Sequence, residues 1–356
     1  MSTQGLSYPE EIGEPQDFPR AEDVPQRAYR EEWAPWTPEP GLRNPHLQSV
    51  LASLPLRRPW MERRARALRE VAEECVFEAR DGSRIHGLLS RHGDRPRPLV
   101  VMIHGWEGCA DSLHLLSGAT AVWEAGYDLF RLHLRDHGPT HHLNRELFHA
   151  CRLDEVADAV AALHERIAPP GFLLVGYSMG GNFALRLAAQ QPSLGFDAVV
   201  AVSPVLEPRH TLECLEDGFP LYQQYFMRKW HRSLREKARH HPDLMDMRVV
   251  SRIQGVRAMT DYFVRTHTDY AHYNEYLDGY AVTGDRLNTI AVPTWLIMAE
   301  DDPVNPATDL ARIQGTEHLT VVRTQYGGHC GFFRNWRLQS WVDPFTVDCL
   351  QQQVCA

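Results

Sequence analysis

The segment "FLLVGYSMGGNFALRLAAQQ", residues 172–191, holds Ser178 among glycines at 176, 180 and 181. A serine hydroxyl is a weak nucleophile at neutral pH and needs an adjacent base to take its proton. Phe172–Val175 is an apolar run of buried-strand length. From Asn182 onward the chain is rich in helix formers, and Ala184, Leu185, Leu187 and Ala188 can share one face. The change from one pattern to the other falls at Ser178, with no loop between. This spacing predicts a sharp strand-to-helix turn that lifts the hydroxyl above a sheet, with Gly176 and Gly180 where a Cβ has no room. The first N–H groups of the helix point at the same place and favour developing negative charge.

Such a nucleophile needs an oxyanion site, an acid and a base. In "VVMIHGWEGCADS", His104 and Gly105 end an apolar run. The backbone N–H of Trp106 then joins that of Met179 as oxyanion donors, each worth about 3 kcal/mol in the transition state. His104 reads as a structural histidine holding that loop. The acid and base follow the serine in the order Asp/Glu then His. "LIMAEDDPVNP" places Asp301 and Asp302 just beyond an apolar run. Asp302 is preferred because the second aspartate of "AEDDPV" aligns best with the usual acid-loop pattern, although acids before proline also form ordinary turns. "VVRTQYGGHCGFF" places His329 in a glycine-rich loop, as general base and later acid, its tautomer fixed by the carboxylate. Cys330 is not read as a nucleophile, because neighbouring side chains seldom face each other. His133, His137, His141 and His142 crowd "RLHLRDHGPTHHLN", but Gly138 and Pro139 break the helix that an i, i+4 metal pair requires. No P-loop, GxGxxG after a strand or HExxH occurs, so no cofactor and no metal are expected.

The elements that must position these groups are legible along the chain. "ECVFEA" and "RIHGLLS" read as a hairpin around "RDGS". Residues 98–104, 127–133, 172–176, 197–203, 293–299 and 318–323 read as strands buried on both faces. Helices fall between them, notably 112–125 and 153–166. The sum is an α/β fold with a mainly parallel sheet. Residues 205–288 lack a convincing strand and read as an inserted helical cap, leaving 41–204 and 289–356 as the core. Tyr222, Phe226, Trp230 and Leu234, with Tyr225 beside them, form a helical stripe that reads as core before it reads as a substrate wall. Residues 1–40 carry nine acidic and three basic side chains and seven prolines, the composition of an extended arm. Trp33 and Trp36 are expected to dock its end. Six arginines between Arg57 and Arg69 read as a solvated face or as partners of the acidic arm.

With 356 residues, 43% apolar and 23% charged, the chain is an ordinary globular one, and a net charge of −9 argues against nucleic acid. No signal peptide and no span-length apolar run is evident, and seven cysteines show no disulfide framework, so the cytoplasm is expected.

Taken in order, "HGWEG", "RDHGPT", "GYSMGGN", "EDDPVNP" and "GGHCGF" resemble the α/β-hydrolase superfamily. With "LRNPHLQSVLASL" upstream, the chain is similar to its YheT-like members, which are related to a group of eukaryotic lipases. The likeness covers about residues 41–345. It implies an α/β-hydrolase fold with Ser178, Asp302 and His329 as triad and Trp106 and Met179 at the oxyanion hole. Relatives usually carry a glycine and small polar residues where this chain has "RDHGPTHHLN", which implies a different pocket there. His46 of "NPHLQ" reads as a buried structural histidine.

The expected activity is hydrolysis of short- to medium-chain carboxylic esters through an acyl-enzyme, with a small-molecule ester as partner. Acyl transfer, thioester hydrolysis and peptide cleavage use the same triad and stay open, as does a non-catalytic ligand binder of the same fold. Peripheral membrane contact and the oligomeric state are left open as well.

Overall fold

The computed structural model of the chain describes residues 28–354; the acidic arm before Ala28 lies outside them. Nine strands make one sheet. They are β1 (Arg30–Trp33), β2 (Ala72–Glu78), β3 (Arg84–Ser90), β4 (Leu99–Ile103), β5 (Asp128–His133), β6 (Phe172–Tyr177), β7 (Ala198–Val202), β8 (Thr294–Ala299) and β9 (Leu319–Thr324). Their spatial order is β1-β9-β8-β7-β6-β4-β5-β3-β2. The hairpin β2–β3 and the pair β3–β5 are antiparallel, and every other pair is parallel.

The central strands are apolar on both faces because both faces are covered. Alternate residues point opposite ways, so Val101, Ile103, Leu174 and Val199 join one core while Val100, Met102, Leu173 and Val200 join another. Helices Leu153–Ile167 and Met179–Gln190 cover the first face. Leu113–Glu124 and Val342–Val354 cover the second. In Leu153–Ile167, Val156, Val160 and Leu163 recur at helical spacing and are buried. Asp154 and Glu155 sit in its first turn, where the helix dipole favours acids. The order of connection reverses at β4, which has β5 on one side and β6 on the other. The crevice beyond the carboxyl ends of β4 and β6 is therefore the natural ligand site of the sheet.

Residues 205–288 contain five helices, Pro208–Asp217, Pro220–His240, Met247–Val250, Val256–His267 and Tyr273–Asp278, and no named strand.

Two readings of the N-terminal region change. The end of the arm is not merely docked: Arg30–Trp33 forms β1, parallel to β9 with Arg30 opposite Thr320. All four of its side chains are exposed, so no apolar alternation marks it in the sequence. Trp36 does dock, stacked on Trp341 at 5.4 Å, whereas Trp33 is 57% exposed with the Arg323 guanidinium 5.0 Å from its ring centre. The arginine run is only partly a solvated face. Arg64 pairs with Glu124 and Arg69 with Asp111, both outside the arm, and Arg57 is buried against Ser117 at 3.1 Å.

Candidate active site

Ser178 occupies the junction of β6 and the helix Met179–Gln190 with φ 54° and ψ −116°, a conformation costing about 1–3 kcal/mol for a residue with a side chain. Its N–H donates to the Val202 carbonyl at 2.9 Å, and its own carbonyl accepts the Asn182 N–H at 3.0 Å. The glycines follow from the same geometry. A Cβ on Gly176 would lie 2.1 Å from the Gly180 carbonyl oxygen, and one on Gly180 would lie 2.2 Å from that of Ile103. Neither site has space for alanine without moving a backbone.

The imidazole of His329 lies between Ser178 and Asp302. Its Nε2 is 3.0 Å from Ser178 Oγ, and its Nδ1 is 3.0 and 3.2 Å from the two Asp302 oxygens. A carboxylate can only accept, so Nδ1–H donates to Asp302, and the Nε2 lone pair faces the serine hydroxyl. Asp302 is fixed in turn, because its Oδ1 accepts the N–H groups of Val304 and Asn305 at 2.9 Å each. Asp301 points elsewhere. Its Oδ1 accepts the Gly328 N–H at 2.8 Å, and burial pushes its carboxyl up to about 6. It braces the glycine-rich loop that carries His329.

The turn after β4 comes close to the serine: a Cβ on Gly105 would stand 3.6 Å from Ser178 Oγ. Among the described residues the Trp106 and Met179 N–H groups have no protein acceptor, which leaves both available to a ligand oxygen. His104 is fully buried. It donates from Nδ1 to the Gly105 carbonyl at 2.7 Å and accepts the Leu134 N–H at Nε2. Burial lowers its pKa to about 3, so it stays neutral and holds the turn. His133 and His137 likewise accept the N–H groups of Ala110 (3.0 Å) and Glu107 (2.9 Å). His141 meets Ser233 Oγ at 2.9 Å, and the ring of His142 lies 5.7 Å from that of His240. Cys330 is buried, and that burial raises its thiol well above the usual range.

The helix Pro45–Ser53, whose role the sequence leaves unexplained, is the seat of the His329 loop. Ser49 Oγ accepts the His329 N–H at 2.8 Å and donates to the Pro45 carbonyl at 2.7 Å. Gln48 is fully buried; its amide donates to the carbonyls of Leu42 (2.8 Å) and Phe333 (3.1 Å) and accepts the Phe333 N–H at 2.8 Å. A Cβ on Gly328, at φ 53°, would stand 2.5 Å from the Pro45 oxygen, so loop and helix touch backbone to backbone. His46 is half-buried rather than buried, with Nδ1 3.0 Å from the Tyr222 hydroxyl, and so ties this helix to the cap. The available signal was the adjacent polar pair Gln48 and Ser49 ahead of the apolar run Val50, Leu51 and Ala52, in a helix capped by Asn44 with Pro45 in its first turn.

Above Ser178 lies a cleft of about 1730 Å³, open to solvent, which His329, Trp106 and His114 also line. Tyr222, Tyr225 and Phe226 wall it, while Tyr222 is also a buried core residue and Phe226 packs against that core, so this half of the aromatic stripe is core and lining at once. Trp106 stacks on Phe226 at 5.4 Å and meets Trp230 edge-on at 5.0 Å. His114, which sequence reading passes over, is held neutral by burial at about 3, and its buried Nε2 has no protein partner among the described residues.

Residues 98–335 match the alpha/beta hydrolase fold family, and the chain belongs to that family. Among curated proteins it is 24% identical over 330 residues to "Putative esterase YheT" of Escherichia coli K12, covering 89% of this chain and 93% of that one. Among solved structures, the Pyrococcus furiosus esterase Pf2001 superposes with a TM-score of 0.55 at 13% identity, covering 82% and 96% of the two chains. A 2,6-dihydroxy-pseudo-oxynicotine hydrolase gives 0.54 at 18% identity, over 83% and 72%. No helix among the described residues is long and apolar enough to cross a membrane.

Proposed function

We propose that the protein cleaves carboxylic esters through an acyl-enzyme formed on Ser178. That the chain is a carboxylic ester hydrolase follows from its family and from the esterases among its relatives. The observation that carries the mechanism is the Ser178–His329–Asp302 relay, with both hydrogen bonds at 3.0 Å. His329 Nε2 takes the hydroxyl proton as Ser178 Oγ adds to the ester carbonyl. Asp302 stabilises the imidazolium that results. The Trp106 and Met179 N–H groups receive the oxyanion, and the proton then leaves with the alcohol. Water, deprotonated by the same imidazole, adds to the acyl-enzyme and releases the acid, restoring Ser178.

The aromatic wall suits a short- to medium-chain acyl group. None of the six described cysteines forms a disulfide, which fits a reducing cytoplasm. Hydrolysis of p-nitrophenyl esters from acetate to decanoate tests both parts of the reading. Turnover is expected to peak at short or medium length and to fall about 10⁶-fold in kcat in Ser178→Ala. Unchanged turnover in that variant contradicts the assignment.

A further inference from the structure

The "RDHGPTHH" loop takes no part in the chemistry above, yet it shapes a second cavity. With the turn 107–112 and the cap helix Pro220–His240 it bounds a space of about 1130 Å³, open to solvent. This space adjoins the cleft of Ser178, for Arg58, Gly108, Ser112 and Lys229 line both. Most of the residues that line it are polar or charged, unlike the aromatic wall next door.

The charges do not cancel. Of the acids facing the cavity, Asp136 is neutralised by Lys237 Nζ at 2.7 Å, and Glu236 is taken by Arg239. Burial, opposed by the nearby Lys229 ammonium, raises Glu107 to about 8, which favours its uncharged form near neutral pH. The cations are left over. Lys229 Nζ donates to the Glu107 backbone carbonyl at 2.8 Å and lies 4.9 Å from the centre of the Tyr225 ring, with no carboxylate in ion-pair range among the described residues, and Arg58 meets Glu62 loosely at 3.4 Å in a solvent-exposed pair. Arg232 has no carboxylate partner among the described residues. The cap helix itself carries six Arg and Lys against one acid, in a chain of net charge −9. A positive cavity beside a nucleophile, in a negative molecule, selects for an anionic group on the substrate.

We propose that this cavity is an anion subsite, where Arg58, Lys229 and Arg232 hold a phosphate or carboxylate carried by the ester whose carbonyl sits at Ser178. The proposal rests on the ester-hydrolase reading of that cleft. It makes the preferred substrate bipolar, with an ester at one end and an anion within reach of the cap helix.

Two sets of matched esters test it. One set is p-nitrophenyl esters of C4–C8 dicarboxylic acids, each compared with its ω-methyl ester. The other is butyryl glycerol 3-phosphate compared with monobutyrylglycerol, followed by pH-stat. The charged member of at least one pair is expected to have about tenfold higher kcat/KM, as a charge-assisted contact gives. Whichever set shows the larger ratio identifies the head group as carboxylate or phosphate. In Arg232→Gln and Arg58→Gln the ratio is expected to fall toward one, and in Arg232→Glu to fall further; both arginines are solvent-facing, so melting curves like wild type are expected. Ratios near one in every wild-type pair, or a ratio unmoved by these substitutions, overturn the subsite. No turnover of any ester, charged or neutral, overturns the hydrolase reading instead.

Discussion

At Asp301 and Asp302, two adjacent carboxylates of one chemistry receive different tasks from their hydrogen bonds. Asp302 accepts two backbone N–H groups and faces His329, whereas Asp301 accepts from Gly328 and supports the loop. Asp302→Asn keeps the size but lets the imidazole settle in the wrong tautomer, and kcat is expected to fall about 10⁴-fold. Asp301→Asn retains an acceptor for Gly328 and is expected to lose less than tenfold in kcat; a reversed ranking would move the acid to Asp301. The raised Asp301 pKa also has a sign. Between about 4 and 6 the folded state binds a proton that the unfolded chain has already released, so this group's contribution to stability falls as pH rises through that window. Melting temperatures of wild type and Asp301→Asn are therefore expected to shift in favour of the variant from pH 4 to pH 6, and a constant difference would contradict it.

The elements differ in how plainly the sequence declares them. Most of the six parallel core strands show themselves as nearly continuous apolar runs, since a strand buried on both faces favours apolar side chains, although β5 buries Asp128, Arg131 and His133 among them. The elbow shows itself because Gly176 and Gly180 answer local clashes with backbone. β1 does not, because its energy lies in backbone hydrogen bonds to β9 and in Arg323, which bonds Glu31 at 2.7 Å. The helix Pro45–Ser53 is equally silent: Ser49 lies 280 residues from the His329 N–H it accepts, and no periodicity encodes so distant a pairing. Ser49→Ala removes that acceptor while leaving the triad side chains intact. A fall of about tenfold in kcat is expected with KM nearly unchanged, because a half-buried N–H loses its partner and the loop loosens. An unaltered kcat would show that the loop is held elsewhere.

Across the whole molecule, the fold brings Ser178, at a strand-to-helix turn, together with Asp302 and His329, each in a loop, at the carboxyl edge of one sheet, and the proposed mechanism depends on that meeting. The positions of the proposed nucleophile, acid and base were readable because each residue follows a recognisable strand. The lining of the clefts was not, because Tyr222 and Phe226 look the same in sequence whether they face a core or a cavity. The charge of the second cavity was hidden too: it depends on which acids already have partners, such as Asp136 with Lys237. Among the described residues stability rests on packing and not on disulfides, since the six described cysteines are free. Melting temperatures with and without reductant are expected to agree, and a lower one under reduction would expose a covalent link.

Peptide mapping after reaction with a fluorophosphonate probes the serine directly. A single phosphonyl adduct on Ser178 is expected in wild type, forming at least about 10³-fold more slowly in His329→Ala, where no base takes the hydroxyl proton. A folded wild type that takes up no probe, or one that carries the adduct at another residue, would contradict the claim that His329 activates Ser178.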